Sequence, residues 1–197
     1  MDLPRHHEPH CSRCAAIRSA GQPCLVCQQH AFAFDETCAA FRFDYPLTHW
    51  IHAYKYRGMF VLGRWFANEL LPCVEEIHAR QPLDQIIGMP LHPLRQAERG
   101  FNQSHEIARF LAAWLGLPCR TARCVRRYHT VPQVELDASA RQHQRADLFE
   151  YAGDLSGQHI LLVDDVMTTG ASLHTLALAM RRQGAERVTC AVLARAT

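Results

Sequence analysis

The stretch His159-Ile160-Leu161-Leu162-Val163-Asp164-Asp165-Val166-Met167-Thr168-Thr169-Gly170-Ala171-Ser172 decides the fold. It opens with a run from His159 to Val163 that reads as a strand buried on both faces of a parallel sheet, and that run ends at two acids. A turn of small residues follows. Leu173, Leu176, Ala177 and Met180 then share one helical stripe, with Gly184 as a C-terminal stop. Arg187 to Leu193 reads as a further strand. Strand, helix and strand within ~35 residues make a βαβ unit, so the expected fold class is α/β with a parallel sheet flanked by helices.

Upstream, Leu47, Trp50, Ile51 and Tyr54 recur at the period of an amphipathic helix. Phe66, Leu70, Val74 and Ile77 mark a second helix over 60–78, where Pro72 predicts a kink or break. Gln85 to Met89 reads as a short buried strand before Pro90. Ile107, Leu111, Trp114 and Leu115 mark a third helix, ended by Gly116 and Pro118. Residues 119–150 are rich in Arg and Gln and read as a long loop. Residues 1–40 differ in kind, with five of the nine cysteines, several prolines and histidines, and little periodicity. Two units are expected: a cysteine-rich segment over 1–40 and an α/β domain over 45–197.

Composition bounds the remaining choices. The 197 residues are 48% hydrophobic and 20% charged, which suits a packed core and excludes global disorder. A net charge of +2 does not by itself indicate a nucleic-acid binder. No apolar run reaches the ~18 residues of a membrane span. Met1 to His7 carries no apolar stretch, so no secretory signal and a cytoplasmic location are expected. An odd number of cysteines argues against a disulfide framework. Lys55 is the only lysine among 21 basic residues. The arginine forks suit phosphate, although coding bias is the simpler account of such a skew.

Cys11-Ser12-Arg13-Cys14 and Cys24-Leu25-Val26-Cys27 are two Cys-x-x-Cys pairs nine residues apart. Each can wrap two thiolates around one ion, and four sulfurs complete the tetrahedral shell that Zn2+ prefers. With no open coordination position the role is structural, and metal binding supplies the folding energy of a segment too short to bury a core. A redox dithiol and an iron–sulfur cluster are the alternatives. Cys38, Cys73, Cys119, Cys124 and Cys190 read as ordinary buried thiols.

The acids and the turn after them have a chemistry of their own. Backbone N–H groups from Thr168 to Ala171 at a helix start can surround a phosphate, Gly170 permits close approach, and the hydroxyls of Thr168, Thr169 and Ser172 add donors. Ionised Asp164 and Asp165 accept hydrogen bonds, which suits ribose hydroxyls and Mg2+. A plain helix cap would also place acids there. The string matches neither a Walker A loop nor a Gly-x-Gly-x-x-Gly turn.

Val163 to Ser172 resembles the phosphoribosyl pyrophosphate (PRPP) motif of type I phosphoribosyltransferases. Pro90-Leu91-His92, Arg95 and Arg99-Gly100-Phe101-Asn102-Gln103-Ser104, with Lys55-Tyr56-Arg57-Gly58 and the cysteine pairs, resemble the ComF family in the family's own order. That family comprises competence-associated, phosphoribosyltransferase-like proteins with an N-terminal zinc ribbon. The resemblance implies a type I phosphoribosyltransferase-like parallel sheet flanked by helices. It also implies PRPP binding by Asp164, Asp165, Met167, Thr168, Thr169, Gly170, Ala171, Ser172, Arg95 and Arg99, with Asp164 and Asp165 in the catalytic role. The implied cofactors are structural Zn2+ on Cys11, Cys14, Cys24 and Cys27, and Mg2+ with PRPP. Thr130 to Leu136 and Arg141 resemble the family's mobile loop, with Gln144 where the family has Asn. The implied role is in natural transformation, with single-stranded DNA and competence-machinery proteins as partners. Arg120, Arg123, Arg126 and Arg127 would supply charge to DNA. Phe32, Phe34, Phe41 and Phe43 either stack on bases or, as expected, lie buried beneath the ribbon. A catalytically active phosphoribosyltransferase with an unknown acceptor and a non-catalytic PRPP sensor are the competing functions.

Overall fold

A computed structural model describes residues 3–19, 22–127 and 148–196. The second cysteine pair starts a short helix, α1 (Leu25–Gln29), with Cys24 as its N-cap residue. Strand β1 (Glu36–Arg42) follows, then α2 (Leu47–Tyr56), α3 (Val61–Arg80) and β2 (Gln85–Gly88). Helices α4 (Pro93–Arg99) and α5 (Gln103–Leu115) come next. An antiparallel ribbon of β3 (Cys124–Arg126) and β4 (Phe149–Tyr151) leads to β5 (His159–Met167), α6 (Ala171–Arg182) and β6 (Arg187–Arg195).

The main sheet is parallel throughout and runs β1-β6-β5-β2. Alternation along its central strands feeds two cores. Leu161 and Val163 of β5 and Ala191 and Leu193 of β6 pack with Tyr54, Phe66, Leu70, Ile107 and Leu111 of α2, α3 and α5. Ile160 and Leu162, with Cys190 and Val192, pack instead under Leu173, Leu176, Ala177 and Met180 of α6. The central strands are therefore apolar on both faces, which is why β5 reads as a continuous run. Each fully buried Leu, Ile or Phe contributes roughly 1.5–3 kcal/mol.

Four details differ from the sequence reading. Strand β5 does not stop at the acids, because Asp164, Val166 and Met167 stay in register with Val192, Ala194 and Arg195 of β6. Helix α3 runs unbroken through Pro72. Pro72 and Asn68 are both exposed, so water can satisfy the carbonyl that the missing N–H leaves free. The flanks of the expected 119–150 loop pair as β3 and β4, while 128–147 lie outside the described residues. Finally, β1 straddles the expected end of the cysteine segment at residue 40, pairing with β6 from Glu36 opposite Thr189 to Arg42 opposite Arg195.

The end of β2 is tightly confined by α5. A methyl group on Gly88 would stand 2.6 Å from the Ser104 carbonyl oxygen and 2.8 Å from the His105 Cα, and both neighbours are backbone. Gly88→Ala should therefore destabilise the protein by about 1–3 kcal/mol in urea denaturation, as overpacking does elsewhere. A neutral result would show that α5 can move away freely.

Candidate phosphate and metal sites

The parallel pairing of β2 with β5 sets Gly88 opposite Val163, and the Met89 N–H donates to the Val163 carbonyl at 2.7 Å. The Met89-Pro90-Leu91 segment thus leaves the sheet beside Asp164 and the turn after β5. Both lie at the carboxyl ends of adjacent strands, where open α/β sheets bind ligands.

The turn between α4 and α5 locks these two strand ends together. Gly100 ends α4 in the left-handed region at φ +79°. Asn102 caps α5 by accepting from the His105 N–H at 3.0 Å, and its Nδ2 donates to the Met89 carbonyl at 3.0 Å. Gln103 accepts from the Arg99 guanidinium through its side chain, and its carbonyl accepts from the Tyr54 hydroxyl at 3.2 Å. The Ser104 hydroxyl donates to Asp164 Oδ1 at 2.9 Å. Consecutive residues of one short motif therefore hold the first strand end, the neighbouring helix and the acid of the second.

The two acids take different partners. Asp165 is buried and ion-paired to the Lys55 ammonium of α2 at 2.8 Å. Asp164 accepts from Ser104 and from the Asp165 N–H, both at 2.9 Å. Burial and the neighbouring Asp165 charge push its pKa up to about 7, against the pull of the Ser104 hydroxyl. Arg126 of β3 lies over the Phe149 ring, 5.7 Å from its centroid, within electrostatic reach of Asp164. Burial lowers its pKa, the charge of Arg95 lowers it further, and the charge of Asp164 opposes both.

Beyond the acids the chain turns into α6. Thr168 and Thr169 are exposed, Gly170 adopts φ +80°, and no side chain caps the helix. The Ala171 N–H donates to the Thr169 hydroxyl at 3.3 Å. Asp164, Val166, Met167 and residues 168–173 line a depression of about 50 Å³. Thr168, Thr169, Ala171 and Ser172 present exposed surface there, whereas Met167 is buried and gives its carbonyl to Ala196 and Arg195. A methyl on Gly170 would come within 2.6 Å of Met167 Cε and 3.1 Å of the Phe32 ring. Of the two arginines named from sequence, Arg95 is exposed on α4. Arg99 is anchored, bonding Gln103 and the Tyr56 hydroxyl and lying over the Tyr56 ring.

The four N-terminal cysteines converge. Their sulfurs all lie within 4.8 Å of one another, with Cys11 and Cys27 at 3.7 Å and Cys14 and Cys24 at 3.5 Å. A tetrahedron with ~2.3 Å arms has edges of about 3.8 Å, so this donor set fits a tetrahedral Zn2+ shell. Burial disfavours the Cys11 thiolate, yet hydrogen bonds from the backbone of Cys14 and Arg13 outweigh it and bring its pKa down to about 7. Phe32 and Phe34 are buried with the cysteines as expected, whereas Phe41 is buried in the opposite core against Trp65 of α3 and Phe43 is exposed. Phe32 stacks on Phe34 with centroids 4.7 Å apart.

Residues 102–197 match a family model described as phosphoribosyl transferase domain. The DNA utilization protein YhgH of Salmonella typhi is 31% identical over 208 aligned positions, covering 95% of this chain and 91% of the relative. The chain belongs to the ComF family. Competence protein F of Haemophilus influenzae is 29% identical, covering 95% of the chain and 85% of the relative. ComFC of Bacillus subtilis is 21% identical over 91% of the chain and 73% of the relative. The purine phosphoribosyltransferase of Pyrococcus horikoshii Ot3 overlays with a TM-score of 0.44 at 18% identity, covering 66% of this chain and 83% of that one. Among the described residues no helix is long and apolar enough to cross a membrane.

Four residues of this ComF site escaped the sequence reading as site residues. Lys55 was legible as the lone lysine, but its pairing with Asp165 joins positions 110 residues apart and has no local signal. Ser104 of α5 bonds Asp164, and Arg126 of β3 feels the Asp164 charge. Arg195, at the end of β6, is buried behind the turn.

Folding raises the Asp164 pKa from 3.8 to about 7, so the folded chain holds a proton that the unfolded chain releases in between. This favours the fold below about pH 4 and is lost as the pH rises through 7. Asp164→Asn keeps the acceptor for Ser104 and removes the charge. It should raise stability by about 1–3 kcal/mol at pH 8 and by little at pH 4. Paired thermal melts at the two pH values measure this, and an equal effect at both would refute the buried-charge account.

Proposed function

We propose that this ComF protein binds PRPP with Mg2+ at the carboxyl ends of β2 and β5 and acts through that site in DNA uptake, handling incoming single-stranded DNA. The observation that carries the PRPP reading is the convergence of an acid strained toward neutrality with an uncapped, glycine-opened helix start. Such an acid gains from hydroxyl donors and cations, and such a turn gains from a phosphate. The DNA reading is supported by relatives named competence protein F and DNA utilization protein YhgH.

In this reading the 5′-phosphate sits on residues 168–172, and Asp164 and Asp165 accept from the ribose hydroxyls. The diphosphate lies toward the Met89–Leu91 segment, where Arg95 and Arg126 offer charge and Arg99 is held in place by Gln103. Mg2+ would be bound by the diphosphate with Asp164 as its protein ligand, neutralising charge on both. Lys55 holds the Asp165 carboxylate in place through their ion pair while it accepts. The segment ahead of β1 is then a structural zinc ribbon through Cys11, Cys14, Cys24 and Cys27, and the sheet domain from β1 onward is the PRPP domain.

A second reading is phosphoribosyl transfer to an acceptor. The match of residues 102–197 to a phosphoribosyl transferase domain favours it. Loss of pyrophosphate would then be assisted by positioning and charge, with no covalent intermediate on the protein.

Titration calorimetry with PRPP and Mg2+ should give saturable binding. Asp165→Asn should weaken it at least about tenfold, the cost of one charge-assisted contact. Pyrophosphate release in the presence of single-stranded DNA or other acceptors separates transfer from binding alone. DNA affinity should fall steeply with salt. Purified protein should carry one zinc per chain, lost in Cys14→Ser together with thermal stability. Absence of PRPP binding in the zinc-loaded protein would defeat the proposal.

A further inference from the structure

Arg195 is the last residue of β6 and is 4% exposed. Its guanidinium hydrogen bonds go to carbonyl oxygens: Nε to Cys14 at 2.9 Å, and Nη1 to Met167 at 3.1 Å, to Thr168 and to Ala196. Among the described residues no carboxylate lies within ion-pair distance of it. A buried cation held by neutral oxygens alone is strongly unfavourable unless negative charge is near. The groups able to supply that charge are the cysteines, since four thiolates around one divalent ion keep a net double negative charge. One Arg195 contact is to a residue of that cysteine set, and two are to the start of the phosphate turn.

Other contacts join the same two places. Phe32 and Ala33 lie five and six residues after Cys27, just past α1. The Phe32 ring would stand 3.1 Å from a methyl on Gly170, in the middle of the turn. The Ala33 N–H donates to His174 Nδ1 of α6 at 3.0 Å. The segment bearing the cysteines therefore backs the turn through a ring, a backbone donor and the carbonyl that Arg195 grips.

We propose that Arg195 is the counter-cation of the cysteine-bound metal and, through the same guanidinium, holds the Thr168 turn in its anion-accepting form. Metal occupancy at Cys11, Cys14, Cys24 and Cys27 is then thermodynamically coupled to phosphate binding at the turn. This rests on the phosphate reading of that turn given above. Arg195 is a positioning residue, because it reaches carbonyls and not the ligand. Coupling between sites is reciprocal, so a phosphorylated ligand must raise the metal affinity by the factor by which metal tightens the ligand.

The test uses the whole zinc-loaded chain and measures its zinc affinity by equilibrium competition with a zinc-selective chelator, followed by absorbance. The competition is run with and without saturating PRPP and Mg2+, and separately with ribose 5-phosphate. Zinc affinity of the unmodified protein should rise about tenfold with either ligand, within the usual range of coupling between two sites. Arg195→Met, which keeps the apolar stem, should bind zinc more weakly and lose the ligand dependence. Arg195→Lys retains the charge but cannot span the carbonyls, and should restore zinc affinity without restoring the coupling. Equal zinc affinities with and without PRPP in a protein that calorimetry shows to bind PRPP would overturn the coupling while sparing the PRPP reading. No PRPP binding at all would defeat both. The comparison on unmodified protein needs no variant, so misfolding of Arg195→Met leaves it decisive.

Discussion

Everything at the carboxyl ends of the sheet depends on how closely β2 can approach α5 while staying in register with β5. Gly88 makes that approach possible, since a single added methyl would meet the backbone of Ser104 and His105. The same approach brings the Ser104 hydroxyl to Asp164 and the Asn102 amide to the Met89 carbonyl. Two motifs separated by about sixty residues of chain become one site because one residue has no side chain.

Charge is managed by unequal partners. Asp165 is matched by an ammonium, whereas Asp164 is left with a hydroxyl and a backbone N–H, and its carboxylate is strained. A structure selected only for stability would pair or remove such a group. Perturbed acids held in place by a rigid scaffold are a mark of functional sites. The cations around Asp164 are set back from it: Arg95 is exposed on α4, and Arg126 lies on the ribbon. The proposed ligand, with its hydroxyl donors and phosphates, would lie between these opposite charges.

The fold was legible because its central strands announce themselves. Strand β5 is apolar on both faces, and the stripe of α6 from Leu173 to Met180 lands on the sheet as its spacing requires. The cysteine set was legible for a similar reason, since the knuckle spacing encodes its own geometry. What the sequence concealed is long-range or small. The run of β5 past its acids is decided by β6, which reaches Arg195 and keeps pairing. The ribbon of β3 and β4 has only three residues a side, too few for a period to show. Lys55 and Arg195 act on residues that lie 110 and 181 positions away, and no local pattern carries such information.

The most direct measurement is the titration of the Asp164 carboxyl by carbon-detected NMR, on zinc-loaded protein, with and without PRPP and Mg2+. The free protein should show a midpoint near 7. The bound form should shift down by at least about one unit, because hydroxyl donors and a cation then stabilise the charge. A midpoint in the ordinary carboxylate range, or one that the ligand leaves unmoved, would contradict the assignment of this acid to a sugar-phosphate site.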